Sequence, residues 1–287
     1  MKVVLFCGGL GTRLREHSET IPKPLVNIGH RPILWHLMRY YAHFGHKDFI
    51  LCLGYRGDLI REFFLNYGER LSNDFVLSPD RKKIELPTSD IEDWRVTFVD
   101  TGLHSNIGQR LLRVRRFLAG ERAFLANYAD GLTDLPLDRH VADFERRSVI
   151  ASIVAVPPPV SFHSVQSDSG GLVTGFGPMR DAGFLINAGF FCLRPDIFDY
   201  MRDGDELVEA PFQRLSARQQ LAVFRYDGFW QAMDTFKDKM AFDSMHARGE
   251  CPWMLWKQNG LEEQRPAPRS GADAADVPLD AKVSSRH

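Results

Sequence analysis

The residues most suggestive of chemistry form a glycine-rich segment that directly follows an apolar run. Residues 3–7 read Val-Val-Leu-Phe-Cys, and residues 8–14 read Gly-Gly-Leu-Gly-Thr-Arg-Leu. Glycines let backbone N–H groups close around an anion, because no side chain blocks the approach. Shortly afterwards, Pro22 and Pro24 hold Lys23 in a stiff, extended frame. Backbone donors, a hydroxyl and two cationic side chains near one strand end suit a triphosphate.

The spacing excludes the two common phosphate loops. A Walker loop needs a lysine soon after its second glycine, and none follows Gly11 in that register. A dinucleotide fingerprint needs a third glycine where this chain has Leu14. A plain strand-to-turn glycine cluster is the alternative, and Thr12, Arg13 and Lys23 weigh against it.

Further along the chain, another glycine, Gly108, lies close to a cationic residue. Arg110, with Gly108 just before it, opens a predicted helix, and a helix N-terminus attracts phosphate. The predicted nucleotide-binding residues are Gly8, Gly9, Gly11, Thr12, Arg13, Lys23, Gly108 and Arg110.

Two acidic residues follow predicted strands. Asp130 comes directly after the strand 123–126, and Asp234 follows the strand 221–226. Carboxylates at strand ends point into the crevice where open α/β sheets bind ligands, and a pair of them could share one Mg²⁺ that also grips phosphate oxygens. Taken singly, Asp130 could instead form a turn before glycine, and Asp234 could cap a helix.

Composition narrows the class of protein. With 287 residues, 44% hydrophobic content and a formal net charge of -1, the chain can bury a full core but lacks the basic field that nucleic acid or an acidic membrane requires. No stretch reaches the length of a transmembrane helix. Its four cysteines lack paired spacing, and three lie in apolar runs, which predicts buried thiols in a reducing cytoplasm.

Helix-like and strand-like segments alternate through the first half of the chain. This pattern predicts an α/β fold, with a Rossmann-like, mixed but mostly parallel sheet flanked by helices. Residues 1–257 are predicted to form a single domain, with 68–94 as an excursion from the sheet. Residues 258–287 have few large apolar side chains and are predicted to form a mobile tail.

These motifs together resemble the sugar-1-phosphate nucleotidylyltransferases, in particular their cytidylyl branch, which joins CTP and glucose 1-phosphate. The opening 8–14 and the Pro-Lys-Pro of 22–24 carry the family resemblance. The segments that resemble the cytidylyl branch are 32–36, 54–57, 99–102, 108–111, 187–191 and 229–235.

The resemblance implies roles for single residues. Asp130 and Asp234 would hold Mg²⁺, and Arg13 and Lys23 would hold the phosphates, so these four are the predicted catalytic residues. Arg180, Asn187 and Trp230 are the predicted acceptor-binding residues. A homo-oligomer is also implied, with 68–94 and the C-terminal region as contacts.

One departure from the family pattern leaves the acceptor open. A Glu-Lys-Pro motif, whose lysine holds the acceptor's phosphate, usually precedes the Asn-x-Gly-x-Phe strand. Residues 176–182 here contain no lysine, and Arg180 is the substitute available. The alternatives are therefore the same chemistry with another nucleotide or acceptor, or a homologue that binds nucleotide without turnover.

Overall fold

The structure is a computed structural model that describes residues 1–9, 21–87, 90–159 and 162–257. Its strands are β1 Val3–Phe6, β2 Asn27–Ile28, β3 Arg31–Pro32, β4 Asp48–Leu53, β5 Val76–Leu77, β6 Ile84–Glu85, β7 Arg95–Asp100, β8 Phe124–Asn127, β9 Gly131–Thr133, β10 Ala151–Val156, β11 His163–Ser167, β12 Val173–Pro178, β13 Ile186–Leu193, β14 Leu221–Arg225 and β15 Trp230–Ala232. The α-helices are α1 Ile33–His43, α2 Gly57–Leu65, α3 Glu69–Ser72, α4 Ile107–Val114, α5 Leu137–Arg147, α6 Ala210–Ala217 and α7 Phe236–Ala247. Short 3-10 helices cover Lys23–Leu25, Arg115–Leu118, Met179–Asp181 and Pro195–Tyr200.

Within the described residues, seven strands form the central sheet in the order β14-β10-β13-β8-β1-β4-β7. Strands β8, β1, β4 and β7 are parallel, and β10 is parallel to β14. Strand β13 runs antiparallel to both of its neighbours. The predicted mixed, mostly parallel sheet is confirmed.

Alternating side chains of the strands build two cores, one on each face of the sheet. In β1, Val3 and Leu5 pack with α1, whereas Val4 and Phe6 pack with α4 and α6. All four side chains are buried, as expected for a strand with helices on both faces. This burial fixes β1 at the centre and places the chain after residue 6 at the sheet's carboxyl edge.

The predicted strands 123–126 and 221–226 correspond to β8 and β14, with ends that agree within one residue. The excursion at 68–94 consists of α3 and the β5–β6 hairpin, outside the central sheet. Helix α5 was not predicted, although Leu137, Val141 and Phe144 form an apolar stripe. Strands β9 and β15 were also missed, because three-residue strands show no alternation to detect.

The buried groups include three of the predicted thiols. Cys7, Cys52 and Cys192 are buried free cysteines, which confirms their predicted burial, and Cys251 is partly exposed. Burial raises the pKa of the Cys52 thiol well above its usual range. Among the described helices, none combines the length and apolar character needed to span a bilayer.

Two buried histidines make the fold sensitive to acid. Burial lowers the pKa of His36 and of His140 to about 4. The neutral ring of His36 fits its site, because Nε2 lies 3.1 Å from the Ile28 carbonyl and Nδ1 accepts from Trp253 Nε1 at 3.3 Å. Protonated Nδ1 would face that indole donor with a second donor. The contacts of His36 therefore favour its neutral ring, and burial favours the neutral ring of His140.

We expect the free energy of unfolding to decrease as the pH falls from about 6.5 to about 4. Between these pH values, the two histidines bind protons in the unfolded chain and stay neutral in the native protein. The free energy of unfolding therefore rises with pH. Each histidine contributes a loss of roughly 2 kcal/mol between pH 7 and pH 5. Urea unfolding at the two pH values measures it. His140→Gln should reduce the pH dependence.

Candidate active site

Lys23 joins the two predicted metal-binding carboxylates. Its ammonium donates to Asp130 Oδ2 and to Asp234 Oδ1, both at 2.7 Å. The two oxygens therefore lie no further apart than twice that distance. The three side chains are partly accessible, with 13% of Lys23, 27% of Asp130 and 35% of Asp234 exposed. Residues separated by about a hundred positions thus meet at one point.

Asp130 is positioned by a strained turn after β8. Ala129 has a φ of 64°, in the left-handed region that non-glycine residues rarely adopt. The Asn127 side chain stabilises the turn, since its Oδ1 accepts from the Ala129 N–H at 2.8 Å. Ala129 is fully buried, so the surrounding core holds this conformation. The turn directs the next residue, Asp130, out of the sheet edge.

Asp234 is positioned by the pairing of β15 with β9. Ala232 lies opposite Gly131 in that antiparallel pair, and the Met233 N–H donates to the Asp130 carbonyl at 2.8 Å. Thr133 Oγ1 reinforces the pair by donating to the Phe229 carbonyl at 2.7 Å. Asp130 directly precedes β9, and Asp234 comes two residues after β15. The pairing of these two strands therefore brings the two acids together.

Asp134 is a positioning residue that the sequence analysis missed. Its Oδ1 accepts from the Phe229 N–H at 2.8 Å and from the Tyr226 hydroxyl. These bonds hold the loop that leads into β15. On the other side, Thr235 caps α7 in a capping box with Asp238. The signal that the sequence offered for Asp134 was its position as a polar residue directly after β9.

The carboxylates keep Lys23 protonated. Burial by itself lowers the pKa of Lys23, but the pairing with Asp130 and Asp234 outweighs burial and raises the pKa above its ordinary value. Pro22 precedes the short helix and Pro24 lies within it, which fixes the backbone from which the side chain extends. Lys23 therefore carries its charge throughout the physiological pH range.

The donor set suits a magnesium ion. Mg²⁺ prefers hard oxygen ligands and is usually bound by one or two carboxylates together with substrate phosphates. Asp130 and Asp234 supply such oxygens at one place. Within the described ranges, no group of three metal-ligating side chains is found, so an ion here would take its remaining ligands from substrate and water.

The beginning of the glycine segment lies over a buried arginine. Gly8 is buried and Gly9 is exposed. Arg110 Nη2 donates to the Gly8 carbonyl at 2.9 Å, and Nη1 donates to Thr101 Oγ1 at 2.8 Å and to the Leu53 carbonyl at 3.1 Å. Arg110 thus ties the segment after β1 to the ends of β4 and β7.

The structure places Arg110 differently from its predicted contact with nucleotide. The residue is only 2% exposed, and both terminal nitrogens are bonded to protein oxygens. It fixes the backbone beneath the glycine segment instead of presenting a free guanidinium. Gly108, also predicted to bind nucleotide, lies in α4, where a Cβ would come within 2.1 Å of the Asp205 carbonyl oxygen. The close approach of that backbone accounts for this glycine.

Two of the predicted acceptor residues lie together near Asp130. Trp230 Nε1 donates to the Ala188 carbonyl at 2.9 Å, and the neighbouring Asn187 donates to the Tyr128 hydroxyl at 3.1 Å. Tyr128, two residues before Asp130, was not singled out from the sequence. Arg180, the third predicted acceptor residue, is exposed on the 3-10 turn after β12.

Three predicted residues fall outside the described part of the chain. Gly11, Thr12 and Arg13 lie in the segment 10–20, and their roles stay predictions. The predicted tail at 258–287 also lies outside the described residues.

Comparison with known proteins identifies the family. The family model described as nucleotidyl transferase matches residues 2–238. The chain belongs to this nucleotidyl transferase family. Over 258 residues, the transferase is 37% identical to the glucose-1-phosphate cytidylyltransferase of Salmonella typhi, covering 90% of this chain and 100% of that protein. It is 27% identical to the mannose-1-phosphate guanyltransferase of Yarrowia lipolytica, covering 83% of this chain and 62% of that protein.

Solved structures show the same fold. A UDP-glucose pyrophosphorylase in complex with UDP-glucose matches the transferase with a TM-score of 0.64 and 16% identity, covering 86% of this chain and 98% of that chain. The HddC protein of Yersinia pseudotuberculosis matches with a TM-score of 0.59 and 20% identity, covering 85% of this chain and 99% of that chain. The predicted nucleotidylyltransferase architecture is thereby confirmed.

Proposed function

We propose that the transferase joins CTP and glucose 1-phosphate to give CDP-glucose and pyrophosphate. The observation that carries the proposal is the meeting of Asp130 and Asp234 on the Lys23 ammonium, 2.7 Å from each. The Salmonella typhi glucose-1-phosphate cytidylyltransferase, similar along its whole length, supports the choice of substrates. A site of two acids and one lysine beside a glycine segment suits a reaction between two phosphates.

The reaction is an in-line displacement at phosphorus. An oxygen of the sugar phosphate forms a bond to the α-phosphorus of CTP, and the bond from that phosphorus to the pyrophosphate oxygen breaks. The protein aligns the two polyanions and offsets their charge, which are the main contributions an enzyme makes to such a transfer. Asp130 and Asp234 would hold Mg²⁺, which supplies charge neutralisation at the phosphate oxygens when bound.

Lys23 supplies a second, permanent positive charge. Because its raised pKa keeps it protonated, it can donate to a phosphate oxygen without a preceding proton transfer. It also holds the two carboxylates at one point before substrate arrives, which reduces the reorganisation needed on binding. The backbone at Gly8 and Gly9 lies at the end of β1, where the predicted nucleotide site begins.

A second candidate function is the same reaction with an acceptor other than glucose 1-phosphate, and one observation favours it. The interval 176–182 lacks the lysine of the family motif, and Arg180 is exposed on the turn after β12. The nucleotide half of the site would then be unchanged, and only the acceptor would differ.

Pyrophosphate release tests the proposal. We expect release when purified protein receives CTP, glucose 1-phosphate and Mg²⁺, and no release after removal of the metal with EDTA. A panel of four nucleoside triphosphates against several sugar 1-phosphates covers the alternatives. Release with another pair would replace the substrates proposed here, and no release with any pair would favour a homologue that binds without turnover.

Arg180 is proposed to bind the acceptor's phosphate. Arg180→Glu should raise the KM for glucose 1-phosphate at least tenfold and leave the KM for CTP within about twofold, because a lost charge contact of about 1.4 kcal/mol is a factor of ten. Initial-rate kinetics with each substrate varied in turn measure both constants. Arg122→Glu, at another exposed position, is the matched control. An effect confined to CTP would assign Arg180 to the nucleotide half.

We also propose that the transferase forms a homo-oligomer, and that an arm made of residues 162–186 contributes a contact in addition to the predicted ones at 68–94 and the C-terminal region. The β11–β12 hairpin of this arm exposes large apolar side chains, with Val165 59% and Phe176 71% exposed. These two residues are opposite each other in the hairpin, so they share one face. Large apolar side chains exposed together on one face are typical of a protein–protein contact.

Phe176→Lys should therefore shift the protein to a smaller species in analytical ultracentrifugation. A charge placed in the centre of an apolar interface must be desolvated without a partner, which weakens association by several kcal/mol. Gln166→Lys lies at the neighbouring position of β11, on the opposite face, and should leave the sedimentation unchanged. Equal sedimentation of both variants and the unaltered protein would exclude the arm as the contact.

A cytoplasmic location is part of the proposal. The four cysteines are free, which fits a reducing compartment, and nucleoside triphosphates are cytoplasmic substrates.

A further inference from the structure

A cavity lined by charged, polar and aromatic side chains lies apart from Lys23, Asp130 and Asp234. It has a volume of about 480 Å³ and is lined by residues of the β2–β3 hairpin, α1, the region of α3 and the chain end after α7. Three cationic side chains and three histidines line it, at Arg31, Arg39, Lys257, His30, His36 and His246. Acidic side chains at its wall come from Asp74 and Asp90.

Four buried polar atoms at this cavity have no hydrogen-bond partner among the described residues. They are Arg31 Nε, Trp35 Nε1, Asn73 Nδ2 and Asp90 Oδ1. Trp35 is 7% exposed and Asp90 is 6% exposed, so both are more than nine-tenths buried. Buried polar groups are nearly always paired, and four exceptions around one cavity indicate a ligand that completes them.

The surrounding contacts hold these atoms in place. Arg31 is anchored by the Ser72 carbonyl and by Asp90, whose Oδ2 lies 3.6 Å from Nη2. The Tyr67 hydroxyl donates to the same Asp90 oxygen at 2.5 Å, and Arg39 donates to the Asp90 carbonyl at 2.9 Å. The guanidinium of Arg31 also stacks over the Trp35 ring, 5.2 Å from its centroid. The unpaired atoms therefore belong to residues already fixed by other contacts.

The types of the unpaired atoms specify the ligand. Arg31, Trp35 and Asn73 offer three donors, which match an acceptor-rich group such as phosphate, and the cations around them favour an anion. The unpaired Asp90 oxygen is an acceptor and calls for a hydroxyl or amine. We propose that this cavity is a second binding site that takes a phosphorylated sugar, with the phosphate at Arg31, Trp35 and Asn73 and a sugar hydroxyl at Asp90. A hexose phosphate and a nucleoside monophosphate both carry this chemistry.

Two structural elements connect this cavity to the proposed active site. Helix α7 begins just after Asp234 and brings His246 to the cavity near its other end. The β2–β3 hairpin, which carries Arg31, begins shortly after Lys23. His246 lies against Gly29 in the turn of that hairpin, where a Cβ would come within 2.2 Å of its ring. A ligand at the cavity would thus contact the far ends of both elements that position the site.

Indole signals in ¹H–¹⁵N correlation spectra of the full chain test the proposal. The chain has five tryptophans, and the Trp35 signal is assigned by its loss in Trp35→Phe. Glucose 1-phosphate, CMP and inorganic phosphate are titrated separately. We expect a saturable shift of the Trp35 signal with one of the two phosphorylated sugars, and the more effective of the two identifies the source. The Kd from this shift should rise at least tenfold in Arg31→Ala and stay the same in Arg70→Ala, an exposed arginine outside the cavity.

Several results would overturn the second site. One is the absence of a saturable Trp35 shift with any of the three probes. Another is a Kd that does not change in Arg31→Ala. A third is loss of the Trp35 shift in Asp130→Asn, which would show that the signal reports ligand at the active site. Inorganic phosphate binding as tightly as both phosphorylated sugars would contradict the role of Asp90.

If circular dichroism shows that Arg31→Ala does not fold, Asn73→Asp replaces it and should weaken binding by placing a carboxylate against the phosphate. Arg31→Ala is expected still to release pyrophosphate from CTP and glucose 1-phosphate, so failure of the second site is distinct from failure of the proposed reaction.

Discussion

Replacing Asp234 or Asp130 by asparagine should lower the turnover of pyrophosphate release by at least about a thousandfold while the fold stays intact. Each acid lies 2.7 Å from the Lys23 ammonium, and each is proposed to hold the same ion. Losing one ligand removes several kcal/mol of transition-state stabilisation, and each ~1.4 kcal/mol is about a factor of ten in rate. Initial rates at saturating CTP and glucose 1-phosphate measure the change, and circular dichroism checks the fold.

The double variant distinguishes a shared ion from two separate roles. Groups that act as one unit are strongly non-additive, so Asp130→Asn with Asp234→Asn together should be little slower than either alone. Asp227→Asn is the matched control, because Asp227 lies exposed on the loop before β15 and pairs only weakly with Arg225. Near-normal turnover in a single variant, or losses that multiply in the double variant, would contradict a shared ion.

The second large effect is expected at Gly8. A Cβ at this position would lie 2.0 Å from Arg110 Nη1, so Gly8→Ala must displace the guanidinium from its carbonyl partners. Breaking several hydrogen bonds of a buried charge costs about 3–5 kcal/mol of unfolding free energy. Urea unfolding measures the loss.

Gly9 provides the control for that substitution. Among the described residues, nothing lies within 4 Å of a Cβ placed at Gly9, so Gly9→Ala should change the stability by less than about 0.5 kcal/mol. Because both glycines belong to the same segment, the difference isolates the Arg110 contact. Equal unfolding free energies of the two variants would show that Arg110 does not depend on Gly8.

The sequence was sufficient to predict the sheet and the meeting of the two acids. The apolar runs of β1, β4 and β8 are continuous, as expected for strands buried on both faces, and parallel strands bring their carboxyl ends to one edge. Asp130 could therefore be placed at the edge from its position after β8. Its meeting with Asp234 was inferred from the phosphate chemistry expected at the glycine segment, and the structure brings the two together.

The remaining parts of the site depend on contacts that sequence spacing does not contain. An arginine beside a glycine is compatible with a ligand contact and with a structural one, and only the fold shows Arg110 turned toward Gly8 from within the protein. Gly108 is explained by the backbone of Asp205, almost a hundred positions away. The short β9–β15 ladder that brings Asp234 beside Asp130 likewise has no periodic pattern. Long-range packing decides each of these positions.

A crystal structure of the transferase with CTP and Mg²⁺ tests the central claim most directly. The account predicts one ion bound by oxygens of both Asp130 and Asp234, with Lys23 donating to a phosphate of the nucleotide. An ion held by neither acid, or the two acids facing away from the bound triphosphate, would contradict it.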